Sequence, residues 1–91
     1  MEVVAWIGLC AAFLTSLSYL PQVQKARPRG STSDLSLKML LALTTGLLLW
    51  VVYGLVRGDW IIVAANAVSA ALSGCVLAFK IRDLRLERGR R

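Results

Sequence analysis

Residues 39–79 read MLLALTTGLLLWVVYGLVRGDWIIVAANAVSAALSGCVLAF. Two uncharged apolar runs, 39–56 and 60–79, are separated by one charged turn, Arg57-Gly58-Asp59. A bilayer core of about 30 Å needs about 20 apolar residues per helix, so each run is long enough to cross it. A turn this short makes the two helices antiparallel neighbours, with Asp59 placed to cap the second of them. A third apolar run, residues 3–24, precedes them. The spans expected are therefore 3–24, 37–56 and 60–79, in one membrane domain covering 1–91 with a basic tail at 80–91. The fold class is an all-α membrane protein, a three-transmembrane-helix bundle.

Composition supports that reading and excludes others. The chain has 91 residues, of which 57% are hydrophobic, so no room remains for a soluble catalytic domain. Met1-Glu2 places no Lys or Arg ahead of the first run, so that run is expected to be retained rather than cleaved as a signal peptide. Lys25, Arg27, Arg29 and Lys38 lie between spans one and two, and Lys80, Arg82, Arg85, Arg88, Arg90 and Arg91 follow span three. Arg57 is alone on the opposite side. The positive-inside rule then puts the N-terminus outside and the C-terminus in the cytoplasm. The net charge of +6 reads as a membrane-proximal basic tail, with no nucleic acid partner.

Three helices cannot by themselves wrap a protected path for a polar solute, so the chain reads as one half of a symmetric transporter. Cys10 and Cys75 sit about 12 Å and about 22 Å from the outer ends of their helices, too far apart in depth for a disulfide. They read as small packing residues. The linker after Gln24 holds Pro28, Gly30 and a Ser/Thr/Asp cluster, which marks an exposed loop, with Ser33 or Asp34 as the expected cap of the second helix. The tail is expected to continue span three for a turn or two and then fray.

Polar residues within the spans carry the functional information. Pro21 lacks an N–H and frees the carbonyl of Leu17, giving either a fixed kink or a moving hinge. Trp50 lies seven residues before Arg57 and Asn66 seven after Asp59, so both are about 10 Å below the outer surface. An indole so deep is away from its usual headgroup level, and an amide in hydrocarbon must find a partner or face water. Asn66 is then either glue between helices or, with Trp50, part of a polar cavity. Such a cavity suits a sugar: an indole covers the C–H face while an amide pairs with adjacent hydroxyls. Thr15, Ser18, Thr44 and Thr45 either line it further or satisfy local carbonyls. Gly46, Trp50, Tyr53 and Arg57 form one helical stripe toward the outer surface, where Tyr53, Arg57 and Asp59 could close the site. Small residues on several sides of span three suit close packing on two flanks.

No Asp, Glu, Lys or Arg lies in the three apolar runs, and the chain has no His, so passive exchange is the natural mechanism. No metal-ligand cluster, catalytic set or phosphate-binding loop occurs in the sequence, which argues against an enzyme and against any metal or cofactor.

Ser18-Tyr19-Leu20-Pro21-Gln22-Val23 resembles the PQ motif of the SemiSWEET family, the bacterial half-size relatives of SWEET sugar transporters. Leu49-Trp50-Val51-Val52-Tyr53-Gly54 followed by Asn66 is similar to its second and third helices. The resemblance implies a parallel homodimer of 3+3 helices in the bacterial inner membrane, with Trp50 and Asn66 binding sugar. It further implies a hinge at Pro21 and Gln22, an outer gate of Tyr53, Arg57 and Asp59, and an inner gate near Tyr19 and Met39. Gly46, one turn from Trp50, leaves space in the pocket. Two other readings are a PQ-loop carrier of an amino acid or another small polar solute, and a small subunit that does not transport.

Overall fold

The structure, a computed structural model, describes residues 2–89; Met1 and the last two arginines of the tail, Arg90 and Arg91, lie outside the described residues. Three helices make up the chain: α1 (Glu2–Ala26), α2 (Leu37–Arg57) and α3 (Trp60–Gly89). All three are long and apolar enough to cross a membrane. α1 runs without interruption through Pro21.

Local chemistry fixes the ends of α2 and α3. Ser36, extended at φ −88° and ψ 122°, caps α2 by accepting the Met39 N–H at 3.2 Å. The expectation of Ser33 or Asp34 at this position is therefore corrected. Asp34 is turned instead toward Lys25, with which it forms an ion pair, and the chain makes a further bonded turn, Leu35 N–H to Thr32 O, before the helix starts. At the other end, Gly58 adopts φ 70° and ψ 27°, the left-handed conformation that ends many helices. Its N–H donates to Leu55 O at 3.2 Å and that of Asp59 to Gly54 O at 2.9 Å. Asp59 then caps α3, its Oδ1 accepting from the Ile61 and Ile62 N–H groups at 3.1 and 3.2 Å, as expected from sequence. A Gly58→Ala substitution should cost about 1 kcal/mol, because a Cβ is unfavourable at this φ. Thermal unfolding of the purified protein in detergent measures it.

The spatial order of the helices differs from their order in sequence. α3 packs against both α1 and α2, while α1 and α2 make no close backbone approach among the described residues. Its small residues serve that central place, as their distribution suggested: Ser69, Ala70 and Ser73 are buried. Gly8 of α1 packs on Ile61, and Gly54 of α2 lies directly over Ile62 and Val63. Thr44 and Ser73 join α2 to α3 through a 2.7 Å hydroxyl pair. The apolar core lies at the basic end, where Ala26, Leu40 and Val76 are buried together under Val23, Leu35, Leu77 and Phe79. Cys10 and Cys75 are free, with no disulfide between them as expected, and both are exposed on the single chain. α3 also outruns its apolar segment: it stays helical to Gly89, further than the turn or two expected of the tail.

The Cα trace measures 56 × 24 × 14 Å. Since the Cα atoms of one helix lie on a cylinder about 4.6 Å across, the 14 Å dimension shows three helices packed side by side into a flattened slab.

Candidate functional site

The residues singled out by depth lie on one half of this slab, toward the Gly58 end. On α2, Trp50 and Tyr53 meet edge to face, ring centroids 5.3 Å apart and planes at 81°. They remain 52% and 48% exposed, so this aromatic pair is built but not covered by its own chain. With Gly46 and Leu49 they border an open hollow of about 300 Å³. The stripe from Gly46 through Trp50 to Tyr53 is thus one surface. Arg57, the next member of the stripe, lies at the last residue of α2 and is exposed.

Asn66 lines a second groove of about 310 Å³. Its floor is α3, with Ile62, Asn66 and Ser69, and its walls are Gly8, Ala11, Ala12 and Thr15 from α1 and Leu47 from α2. Leu47, three residues before Trp50, lines the Asn66 groove and not the Trp50 hollow. Within one chain, Trp50 and Asn66 border two different hollows rather than one. The Asn66 amide donates one N–H to Ile62 O of its own helix at 2.8 Å, which leaves the side-chain oxygen and the second N–H available to ligand hydroxyls. No interhelical bond from Asn66 is present among the described residues.

The hydroxyls divide in the same way. Thr15 lines the Asn66 groove, while Ser18, exposed, donates to Thr15 O at 2.6 Å and so satisfies a local carbonyl. Thr44 is taken up by Ser73, and Thr45 is exposed. Sequence reasoning missed the Thr44–Ser73 pair although the signal was present. Thr44 lies thirteen residues before Arg57 and Ser73 fourteen after Asp59, so the depth matching applied to Trp50 and Asn66 finds it. Of the residues expected at an outer gate, Tyr53 is engaged with Trp50 and Asp59 with its own helix start, and no Arg57–Asp59 ion pair is present among the described residues. Tyr19 is half-buried and Met39 exposed, and Gln22 and Pro21 are exposed.

A second polar cluster lies at the basic end, beyond the apolar run of α3. The Arg82 guanidinium donates to the carbonyls of Ala26, Arg27 and Pro28 at 3.1, 2.7 and 3.0 Å. The first of these belongs to the last turn of α1, where carbonyls lack helical partners. Asp83 accepts from the N–H groups of Gly30 and Thr32 at 3.0 and 3.3 Å and from the Thr32 hydroxyl at 2.7 Å. The Gly30 N–H, then the Thr32 hydroxyl and the Arg82 charge, hold its carboxyl well below the usual carboxylate range. Lys25 does the same, more mildly, for Asp34. No group of three or more His, Cys, Asp or Glu positioned for a metal occurs among the described residues.

Comparison with known proteins bears on this geometry. Residues 3–63 match the PQ loop repeat family. The chain is 43% identical over 76 residues to the sugar transporter SemiSWEET of Bradyrhizobium diazoefficiens, covering 84% of this chain and 88% of that one. It is 39% identical to the SemiSWEET of Leptospira biflexa, over 85% of this chain and 91% of the relative. A crystal structure of SemiSWEET in the inward-open conformation superposes with a TM-score of 0.86 at 31% identity, over 97% of this chain and 95% of that one. With a family match over two thirds of its length, near-complete coverage of these relatives and the same three-helix architecture, the chain belongs to the SemiSWEET group of the PQ-loop family.

Proposed function

We propose that the chain is a passive sugar facilitator of the bacterial inner membrane, working by alternating access as a parallel homodimer. The observation that carries this reading is the Trp50–Tyr53 pair, built on α2 and left about half exposed by its own chain. A second copy related by a two-fold axis normal to the membrane brings two such faces together. Each then supplies an indole and an amide to a shared central site, and the two hollows of each chain open into it. Relatives named as sugar transporters support the substrate class. The basic end faces the cytoplasm and the Gly58 turn faces outward.

Roles follow from position. Trp50 and Asn66 bind the sugar, with Thr15, Ser18 and Gly46 in the lining. Tyr53, Arg57 and Asp59 close the outer side across the two copies. Within one chain Asp59 caps α3, but a carboxylate retains acceptor capacity beyond those two bonds. Tyr19 and Met39 close the inner side, and Pro21 with Gln22 is the hinge. Because the apolar runs hold no acidic, basic or His side chain, nothing in them couples sugar to protons.

Purified protein in proteoliposomes should exchange radiolabelled glucose or sucrose down its gradient. Addition of a protonophore, or a change in the pH gradient, should alter net exchange by less than about twofold, since no proton carrier is in the path. Strict dependence on the pH gradient would overturn the passive mechanism. If neither sugar moves while a neutral amino acid does, the substrate class is wrong.

A further inference from the structure

The connection between α1 and α2 is held by α3, the helix to which it is not joined in sequence. Arg82 takes three consecutive carbonyls, those of Ala26, Arg27 and Pro28, and its guanidinium lies 5.0 Å from the centre of the Phe79 ring. Asp83, next in sequence, takes the amides of Gly30 and Thr32 and the Thr32 hydroxyl, and pairs with Arg82 at 2.8 Å. The ammonium of Lys80, 8% exposed, donates to Thr32 O at 2.8 Å. A cation thus reads carbonyls and an anion reads amides on the same strip of backbone. The observed loop conformation satisfies both, and Asp83, with its side chain 9% exposed, would lose most of its partners if the loop left.

The clamp also divides α1. Ala26 lies five residues below Pro21, about 7.5 Å along the axis, so the short segment beneath the proline is tied to α3 by charged hydrogen bonds. Above Pro21 the attachment is apolar packing such as Gly8 on Ile61. Apolar packing tolerates sliding, whereas a set of directional, charge-assisted bonds does not.

We propose that Arg82 and Asp83 are positioning residues for transport: they keep the foot of α1, the 27–36 loop and α3 as one body throughout the cycle. This rests on the sugar-transport reading and goes beyond it. The bend at Pro21 then occurs between a fixed foot and a mobile upper segment. Tyr19, two residues above the proline, is on the moving side. Met39, in the first turn of α2 directly after the clamped loop, is on the fixed side. The inner opening changes by displacement of Tyr19 relative to Met39, with no peeling of the loop from α3.

The test is a covalent replacement of the clamp. Thr32→Cys and Asp83→Cys are introduced together with Cys10→Ala and Cys75→Ala, and the pair is joined by a short bifunctional thiol reagent. Unjoined, the variant should lose turnover by at least about fivefold with KM within about twofold of wild type, the signature of a residue that positions rather than binds. Joining the two thiols should restore more than half of the lost rate. A joined protein that stays inactive would mean that the loop has to leave α3, and an unjoined one as fast as wild type would mean that the clamp is idle; either overturns the proposal. Arg82→Lys, which keeps a donor, should retain more turnover than Arg82→Ala. A further measurement needs no sugar: in Asp83→Ala, amide exchange at Gly30 and Thr32 should accelerate at least about tenfold, and unchanged exchange also sinks the proposal. Failure of the transport reading appears separately, as wild-type protein that moves no sugar.

Discussion

Trp50→Ala should lower sugar flux by at least about tenfold, equivalent to about 1.4 kcal/mol of lost stabilisation, with the dimer still formed. An indole presents 150–250 Å² of surface, roughly, and most of that contact with a pyranose face vanishes in the alanine variant. Because Trp50 is about half exposed in its own chain and touches the exposed Tyr53 rather than the buried core, its truncation should leave the protomer folded. Its loss also frees the edge of Tyr53, which should loosen the outer closure. Asn66→Ala should reduce flux to a similar degree for a different reason. The side-chain oxygen and the second N–H are the groups left over after one N–H has bonded to Ile62 O, and alanine offers the sugar nothing in their place. The Ile62 carbonyl keeps its helical partner, so the substitution should leave α3 intact. Initial uptake rates in proteoliposomes, beside size-exclusion profiles of the same preparations, separate loss of binding from loss of assembly. Flux at the wild-type level in either variant would remove that residue from the site.

Gly54→Leu should prevent folding of the protomer itself. A Cβ at this position would lie 2.9 Å from Cγ2 of both Ile62 and Val63 and 3.1 Å from the Val63 backbone nitrogen. Side-chain carbons can rotate away, but the backbone of α3 cannot move alone, because Asp59 caps its first turn four residues earlier. Relief therefore requires α2 and α3 to separate near the Gly58 turn. The cost should reach about 3 kcal/mol, the upper part of the range for overpacked sites. Gly54→Ala should lose roughly half of that. Thermal scans in detergent, followed by helicity and by elution volume, should show Gly54→Leu largely aggregated and Gly54→Ala folded with a lowered midpoint. An unchanged midpoint for Gly54→Ala would mean that the contact between the helices is looser than these distances.

The three spans were legible because hydropathy and charge are properties of the chain itself. The α2–α3 hairpin was legible too, since a turn of Arg57, Gly58 and Asp59 allows only one arrangement of its flanks. The central place of α3 was half legible: small residues on several sides called for two neighbours, but nothing in the sequence said that α1 and α2 would stand apart. Ser36 was overlooked as the cap because Ser33 and Asp34 are equally good capping types. What decides among them is the ion pair of Asp34 with Lys25 and the extra turn at Leu35, both tertiary facts. Depth matching says nothing about azimuth, and in the structure Trp50 and Asn66 border different hollows, with Leu47 lining the one at Asn66. Arg82 and Asp83 looked like ordinary members of a basic tail. Their role depends on the backbone of residues far away in sequence, and no spacing rule reports that.

The order in which the helices are packed has a consequence for biosynthesis. α1 and α2 leave the ribosome before the helix against which both of them rest. Until α3 enters the bilayer, the first two helices have no common partner, and the loop between them has none of the Lys80, Arg82 and Asp83 bonds that shape it. Assembly is therefore a late event in synthesis. Translation that stalls before Ser69 leaves the first two helices without most of the surface against which both rest, not a weakened version of the finished unit.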